Sequence, residues 1–203
     1  MEKKIITISR EFGSGGRTIG HLVAEKLGIP FYDKELVEHV ALESGFAPTF
    51  IEEHGEHAPG KSLLSYAFSH HGVPGIMNGL STADFLWSIQ CSVILQLADK
   101  GPCVIVGRNA DYVLKDRPDC LHAYIYADME FRTDRIVRLY GESEKSPEAR
   151  LQEKDKRRRI NYQHYTGRIW GQAQNYDVCL NSSTIGIERC ADIIVDMVNI
   201  CKD

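Results

Sequence analysis

The chain has 203 residues, 43% hydrophobic and 26% charged, which is typical of a globular protein with one sizeable domain. Its formal net charge of −4 argues against a general affinity for nucleic acid or an anionic membrane. No apolar run is long enough to span a bilayer, and the N-terminal MEKKIITISR leads directly into a strand pattern. Six scattered cysteines without a Cys-x-x-Cys pair favour a reduced protein, so we expect a cytoplasmic location.

Short apolar runs alternate with helical patterns along the chain. Strands are predicted at 5–8, 31–33, 103–106, 122–126 and 178–180. Helices are predicted from a glycine turn to about residue 26, and at 35–43, 62–69, 81–98, 129–140, 147–161 and 186–200. This alternation predicts an α/β fold with a doubly wound, mostly parallel sheet.

Two segments interrupt the alternation and are predicted to be inserts on a single domain of residues 1–203. The first, about 34–80, becomes rich in Gly, Pro, His and Ser from residue 44 onward. The second, about 141–176, holds the charged stretch PEARLQEKDKRRRINYQHYTG and then a loop. Connections of this length are usually functional or mobile.

The stretch TISREFGSGGRTIGHLVAEKLG, residues 7–28, reads as a strand, a glycine-rich turn and a helix. Its glycines permit the backbone to gather several N–H groups around an anion, at Gly13, Gly15 and Gly16. The start of a helix adds a favourable dipole, and Thr18 stands where a phosphate loop would bind Mg²⁺. The pattern GxxxxGK[ST] is imperfect, because Arg10 replaces its first glycine and Gly16 its lysine. An ordinary glycine turn is the alternative interpretation.

Gly107-Arg108-Asn109 follows the predicted strand at 103–106 directly. The carboxyl ends of strands in a parallel sheet face the ligand crevice, and Asp33 is predicted to face the same crevice. An arginine there is costly to bury unless it meets an anion or a carboxylate. The alternative for Arg108 is a structural ion pair with Asp111 or Asp116.

The charged stretch of the second insert predicts a helix with a basic stripe. Pairs at i,i+4 spacing account for some of its charges, namely Glu153 with Arg157 and Asp155 with Arg159. The stripe that remains consists of Arg150, Lys154 and Arg158. It suits a lid that closes over phosphoryl groups. A solvated face or an RNA-binding patch is the alternative, although the net acidic charge makes nucleic acid a poor fit.

Four segments resemble, in this order, the cytidylate kinase-like family of P-loop proteins: TISREFGSGGRTIGHLVAEKLGIPFYD, VIVGRNADYVL, DKRRRINYQHYTG and NYDVCLNSSTIGIE. The resemblance runs from residue 4 to about 200. It implies a P-loop NTPase-type three-layer sandwich, with a five-stranded parallel sheet, an NMP-binding insert and a lid. It also implies a phosphate loop for ATP, with Mg²⁺ on Thr18, formed by Gly13, Ser14, Gly15, Gly16, Arg17 and Thr18.

The resemblance further implies an acceptor site formed by Asp33, His39, Arg108, Asn109, Asp155 and Arg158. Here Arg108 resembles the arginine of a Gly-Arg-Asp motif, while Asp155 and Arg158 resemble an Asp-x-x-Arg pair in the lid. Asn109 replaces the aspartate of the first motif, and Glu38-His39 stands where the family has a Tyr-Arg pair. These departures leave the acceptor open.

The reaction expected from these features is in-line transfer of the ATP γ-phosphoryl group to a nucleoside monophosphate (CMP-like) or another small acceptor. Arg17, Arg158 and Asp33 are the catalytic candidates, with Arg17 as the cation nearest to the missing lysine. The alternative is a nucleotide-binding sensor or regulatory protein with the same fold, which the missing lysine and Asn109 favour.

Overall fold

The computed structural model describes residues 4–33, 36, 39–42, 45, 49 and 81–200. Its strands are β1 (Ile5–Arg10), β2 (Phe31–Tyr32), β3 (Cys103–Val106), β4 (Cys120–Tyr126) and β5 (Val178–Asn181). The helices bounded in these residues are α1 (Gly16–Leu27), α2 (Thr82–Lys100), α3 (Ala110–Val113), α4 (Met129–Tyr140), α5 (Pro147–Thr166), α6 (Ser182–Ile185) and α7 (Ile187–Ile200). Within them, no helix combines the length and apolarity needed to cross a membrane.

All five strands are parallel, in the order β2-β3-β1-β4-β5. The first strand lies in the middle, with Ile5 aligned with both Cys103 and Cys120. Strands β1 and β3 are covered on both faces, which explains the continuous apolar sequence of β3; β1 also buries Thr7 and Ser9. The connections run outward in opposite directions from β1, which places a crevice at the carboxyl ends of β1 and β3. The predicted parallel α/β sheet is thus confirmed.

Two hydrophobic cores lie on opposite faces of the sheet. One packs α2 against Ile5 and Ile105, and the other packs α1 and α7 against alternate residues of the same strands. Helix α1 lies very close to the sheet, since a Cβ at Gly20 would approach Cγ2 of Val106 to 2.9 Å. This close packing holds the N-terminus of α1 against the carboxyl edge of the sheet.

Strand β3 and helix α4 occupy the residues predicted for them, whereas β1, β4 and α5 are longer. Helix α5 continues to Thr166 and buries Asp155, Asn161 and Tyr162 on the way. Because its buried face is partly polar, the apolar periodicity of the sequence underestimates its length.

The predicted helix at 62–69 and most of the first insert lie outside the described residues. Leu36 and residues 39–42 are helical, in agreement with the helix predicted at 35–43. Leu36 and Val40 are buried in the core beneath α2. The start of the insert is therefore anchored to the sheet.

Candidate active site

The loop between β1 and α1 curls so that the first turn of α1 opens onto the crevice. Gly13 and Gly15 have φ angles of 84° and 80°, in the left-handed region that glycine adopts without strain. Gly15 is the N-cap of α1, and no side chain caps the helix there. The first-turn N–H groups have no intrahelical acceptor, so they form a cradle suited to an anion.

A buried ion cluster beneath the loop fixes this conformation. Arg132 of α4 donates from Nε to the Phe12 carbonyl at 2.8 Å, and its Nη1 forms an ion pair with Oε2 of Glu11 at 3.1 Å. Its Nη2 pairs with Asp155 of α5, which also accepts from the Phe12 N–H at 2.8 Å. Burial raises the pKa of Glu11, while Arg132 and the Ala127 N–H act in the opposite direction. The cluster therefore joins the loop to α4 and α5.

Two serines hold the same loop from the other side. Ser14 donates from Oγ to the Glu11 carbonyl at 2.9 Å, and its own carbonyl accepts from Oγ of Ser182 at 2.6 Å. Both residues are fully buried. Ser14 thus shapes the loop with its hydroxyl. Ser182, at the start of α6, is a supporting residue that the sequence pattern does not reveal.

A cleft of about 640 Å³ opens above the loop, within the size range of small-molecule sites. It brings together the predicted Gly13, Gly15, Gly16, Arg17, Thr18, Asp33 and Arg158. The guanidinium groups that line it belong to Arg10, Arg17, Arg135 and Arg158, and the carboxylates to Glu11 and Asp33. The cleft lining therefore carries a surplus of positive charge beside the amide cradle.

Arg17 and Asp33 form an ion pair across one end of the cleft. Nε of Arg17 lies 2.6 Å from Oδ2 of Asp33, with side-chain exposures of 53% and 18%. Arg17 starts on the first turn of α1, and Asp33 follows β2. The pair thus connects the phosphate-loop side of the cleft to the start of the first insert.

Thr18 and Arg135 meet at another wall of the cleft. Nη2 of Arg135 donates to Oγ1 of Thr18 at 2.8 Å. Burial lowers the pKa of Arg135, and the neighbouring Arg138 acts in the same direction. A bound anion would favour the charged guanidinium. Sequence reasoning missed Arg135, because its position on α4 carries no local signal.

Thr18 offers one hydroxyl oxygen to a magnesium ion that would arrive with a nucleotide; this oxygen accepts from the Arg135 guanidinium, which would have to move off it. Mg²⁺ in kinases takes one or two protein oxygens and completes its shell with phosphates and water. No group of three or more His, Cys, Asp or Glu side chains that could hold a metal occurs among the described residues. The hydroxyl of Thr18, beside the anion cradle, would supply one such protein oxygen.

A second, smaller pocket lies at the carboxyl end of β3. Gly107, Arg108 and Asn109 have successive φ angles of 75°, 57° and 54°. Such a conformation is uncommon outside glycine and concentrates at functional sites. The pocket is lined by Ser9, Arg10, Gly107, Arg108, Asn109, Arg158, Asn161 and Trp170. Because Arg10 and Arg158 also line the main cleft, they stand where the two spaces meet.

Comparison with known proteins identifies the relationship. A sequence profile of the cytidylate kinase-like family matches residues 5–184. The chain belongs to this family. It is 27% identical to the cytidylate kinase of Archaeoglobus fulgidus, over 97% of this chain and 96% of that protein.

Solved structures show the same fold. A crystal structure of an uncharacterised protein from Eubacterium ventriosum is 26% identical, with a TM-score of 0.71, over 97% of this chain and 99% of that one. The shikimate kinase from Acinetobacter baumannii in complex with shikimate is 17% identical, with a TM-score of 0.56, over 98% of this chain and 95% of that one. The latter shows the fold alone. The predicted P-loop kinase fold is confirmed, and family and fold together support a phosphotransferase that acts on a nucleotide or another small molecule.

Arg108 and Asn109, which the sequence predicts to be site residues of this cytidylate kinase-like protein, make polar contacts at the second pocket. The Arg108 carbonyl accepts from Nε2 of Gln90 at 3.0 Å, and Nδ2 of Asn109 donates to Oδ1 of Asn161 at 2.9 Å. Asp111 is buried and accepts hydrogen bonds from the hydroxyls of Ser9 and Tyr162. Asn109 is thus held by helix α5.

Helix α5, which the sequence predicts to be a lid, presents one residue of its basic stripe to the cleft. Arg158 donates from Nη1 to the Arg10 carbonyl at 3.1 Å and lies over the Phe12 ring, 5.8 Å from its centroid. Arg150 instead donates to the Gly141 carbonyl at 2.8 Å, and Lys154 is exposed. Only Arg158 of the three lines the main cleft among the residues that the structure describes.

Asp155 and His39, which the family resemblance assigns to the acceptor site, line neither the main cleft nor the second pocket. The spacing predicted a pair between Asp155 and Arg159, whereas the structure pairs Asp155 with Arg132 beneath the loop. His39 is half-buried in the helical run 39–42. Contacts of either residue with an acceptor stay predictions.

Replacing Gly15 by alanine should lower the free energy of unfolding by about 1–3 kcal/mol, because the left-handed backbone is strained for alanine. The added Cβ would also lie 2.6 Å from Cδ1 of Ile187. Gly28→Ala is the matched control, since Gly28 has a φ of 65° with no atom within 4 Å of such a Cβ. Urea denaturation measures both losses. Equal losses would show that the contact with Ile187 contributes nothing.

Proposed function

We propose that this protein transfers the γ-phosphoryl group of ATP to a nucleoside monophosphate, CMP-like in size, or to another small acceptor. The observation that carries the proposal is an amide cradle at a helix N-terminus that opens into a cleft lined by four arginines. The cleft adjoins the second pocket at Arg10 and Arg158; this pocket measures about 20 Å³ and has room only for the reacting end of an acceptor.

The donor would occupy the main cleft, with its phosphates on the loop of residues 13–18. Backbone N–H groups of this loop would bind the phosphate oxygens, and Arg135 would add a cation beside Thr18. The Thr18 hydroxyl would hold Mg²⁺, which neutralises part of the phosphate charge. The ion cluster around Arg132 keeps the loop in the shape needed to bind the phosphates.

The acceptor would lie in the main cleft beside Asp33, with only its reacting end in the second pocket of about 20 Å³. Arg108 and Asn109 would contact it from the loop after β3, and His39 from the start of the insert. Asp33 and Arg17 would border it from the opposite side, where they form their ion pair. Asp155 would act through Arg158, since it lies next to this residue on α5 with 3.8 Å between the charged atoms.

In the transfer, an acceptor oxygen forms a bond to the γ-phosphorus while the bond from that phosphorus to the bridging oxygen breaks, and ADP leaves. A phosphate acceptor is already ionised, so the reaction requires positioning and cations rather than a base. Arg158 and Arg17 would stabilise the charge that develops on the transferred group. An alcohol acceptor would also have to lose a proton, and Asp33 of the main cleft would be the candidate to accept it.

A nucleotide-binding sensor with the same fold is the second candidate. Two observations favour it, namely glycine at the lysine position of the loop and Asn109 where the family motif has a carboxylate. Such a protein would bind ATP in the same cradle without turning it over.

A coupled assay of ADP release, run with CMP, other nucleoside monophosphates and small alcohols, tests the proposed function. We expect turnover with at least one acceptor. Arg17→Ala should lower kcat by roughly 10- to 100-fold, the value of a hydrogen bond to a charged group. Lys26→Ala, at the far end of the same helix, is the control with an unchanged rate. ATP binding without turnover on any acceptor would favour the sensor.

A further inference from the structure

The glycine at the lysine position of the loop is required by the side chain of Arg10. A Cβ at Gly16 would lie 2.5 Å from Cβ of Arg10 and 3.0 Å from its Cγ. Real Cβ atoms do not approach so closely, so a lysine at position 16 has no room beside this arginine. The stem of Arg10 therefore occupies the space from which the usual lysine would extend.

The guanidinium end of Arg10 reaches the loop after β3. A Cβ at Gly107 would lie 1.9 Å from Nη1 and 2.7 Å from Cζ of Arg10. Two glycines therefore make room for this side chain, Gly16 under its stem and Gly107 under its charged end. The charge of Arg10 is thereby held between the phosphate loop and Arg108, at the boundary of the two pockets.

The position of Arg17 makes it a poorer replacement for the lysine. Its guanidinium pairs with Asp33 at 2.6 Å, toward the first insert, and its side chain is 53% exposed. Arg10 is half-buried at the end of β1, and Arg158 donates to its carbonyl. A cation in a partly enclosed site interacts more strongly with an anion than an exposed one does.

We propose that Arg10 provides the phosphate-binding cation that a lysine provides in the GxxxxGK pattern. The pattern has glycine at the position of Arg10 and lysine at the position of Gly16, so the cation and the glycine have exchanged places in this loop. This inference rests on the proposed function only in that both need a polyphosphate in the cradle. The ligand class is a polyphosphate chain, whichever nucleoside carries it. Arg17 then serves the acceptor side through Asp33.

Calorimetric binding of inorganic tripolyphosphate to the full chain tests the inference without an acceptor. Arg10→Met keeps an unbranched stem over Gly16 and removes the charge, and it should weaken binding by about 10- to 100-fold. Arg17→Met should weaken it less, by about threefold or under, because surface charges contribute little. Binding by Arg10→Met equal to wild type, a larger loss in Arg17→Met, or no binding by the wild type would each overturn the inference.

The double variant Arg10→Gly/Gly16→Lys tests the exchange itself. It should bind tripolyphosphate at least about tenfold more tightly than Arg10→Gly alone, since the lysine regains room. If the double variant and Arg10→Gly both melt at the wild-type temperature and bind tripolyphosphate with equal affinity, the proposed exchange of positions is wrong. If tripolyphosphate binding depends on Arg10 while no acceptor is ever phosphorylated, the proposed phosphotransfer fails and this inference stands.

Discussion

Replacing Arg132 by methionine is expected to lower the free energy of unfolding by about 3–5 kcal/mol at neutral pH, because it leaves buried carboxylates without their cation. Arg132 is 5% exposed, and its guanidinium contacts Glu11, Asp155 and the Phe12 carbonyl. Methionine fills much of the same volume, so the loss reports charge rather than a cavity. Urea denaturation followed by circular dichroism measures it.

The loss should depend on pH in a defined direction. Burial already raises the pKa of Glu11 above its ordinary 4.5, and Arg132 partly opposes that shift. Without Arg132 the folded-state pKa rises further, so the folded state binds more protons than the unfolded state over a wider interval. Unfolding free energy then falls as pH rises through that interval. The difference between wild type and variant should therefore be smallest near pH 4.5 and largest at neutral pH.

Arg138→Met is the matched control for this prediction. Arg138 lies on the same helix, α4, but is exposed in its last turn. We expect its replacement to change stability by less than about 0.5 kcal/mol, as for most surface positions. A loss in Arg132→Met that is no larger than this, or that does not vary with pH, would contradict the buried ion cluster.

Replacing Arg158 by alanine should lower kcat by about 100- to 1000-fold, the effect of removing one preorganised donor from a transition state. Its side chain is 13% exposed and stands where the main cleft and the second pocket meet. In the proposed transfer, charge on the moving group would develop at this boundary, so the loss should appear mainly in kcat rather than in KM. Steady-state kinetics with the best acceptor measures both.

Two further variants separate charge from packing at this position. Arg158 also lies over Phe12 and donates to the Arg10 carbonyl, so its removal loosens the loop. Arg158→Lys keeps the charge and should recover part of kcat, whereas a purely structural role predicts no recovery. Lys156→Ala, an exposed position on the same helix, should leave kcat unchanged. An Arg158→Ala rate within threefold of wild type would remove Arg158 from the mechanism.

The buried contacts of α5 limit how a lid in this protein can move. Asp155 pairs beneath the loop, Asn161 holds Asn109, and Tyr162 donates to buried Asp111. Moving the whole helix would expose or break all of these contacts, which costs several kcal/mol. We therefore expect closure to involve side chains such as Arg158 rather than displacement of the helix.

The sequence by itself was sufficient for the parallel sheet, the family and the glycine turn after β1. Continuous apolar runs predict strands covered on both faces, as at 103–106, and the glycines at 13 and 15 encode a turn over a few neighbouring residues. These features depend on local periodicity and backbone freedom, so they can be recognised without knowledge of distant contacts.

Only the tertiary structure decided which charged groups meet in the cleft. Arg135 contacts Thr18 across 117 positions, and Asp155 contacts Phe12 across 143. The sequence predicted Asp155 to pair with Arg159 one turn away, yet a buried carboxylate is stabilised more by Arg132 and a backbone N–H than by an exposed neighbour. Likewise, Arg10 could be related to Gly16 and Gly107 only through packing, because steric exclusion between distant residues leaves no periodic trace in the sequence.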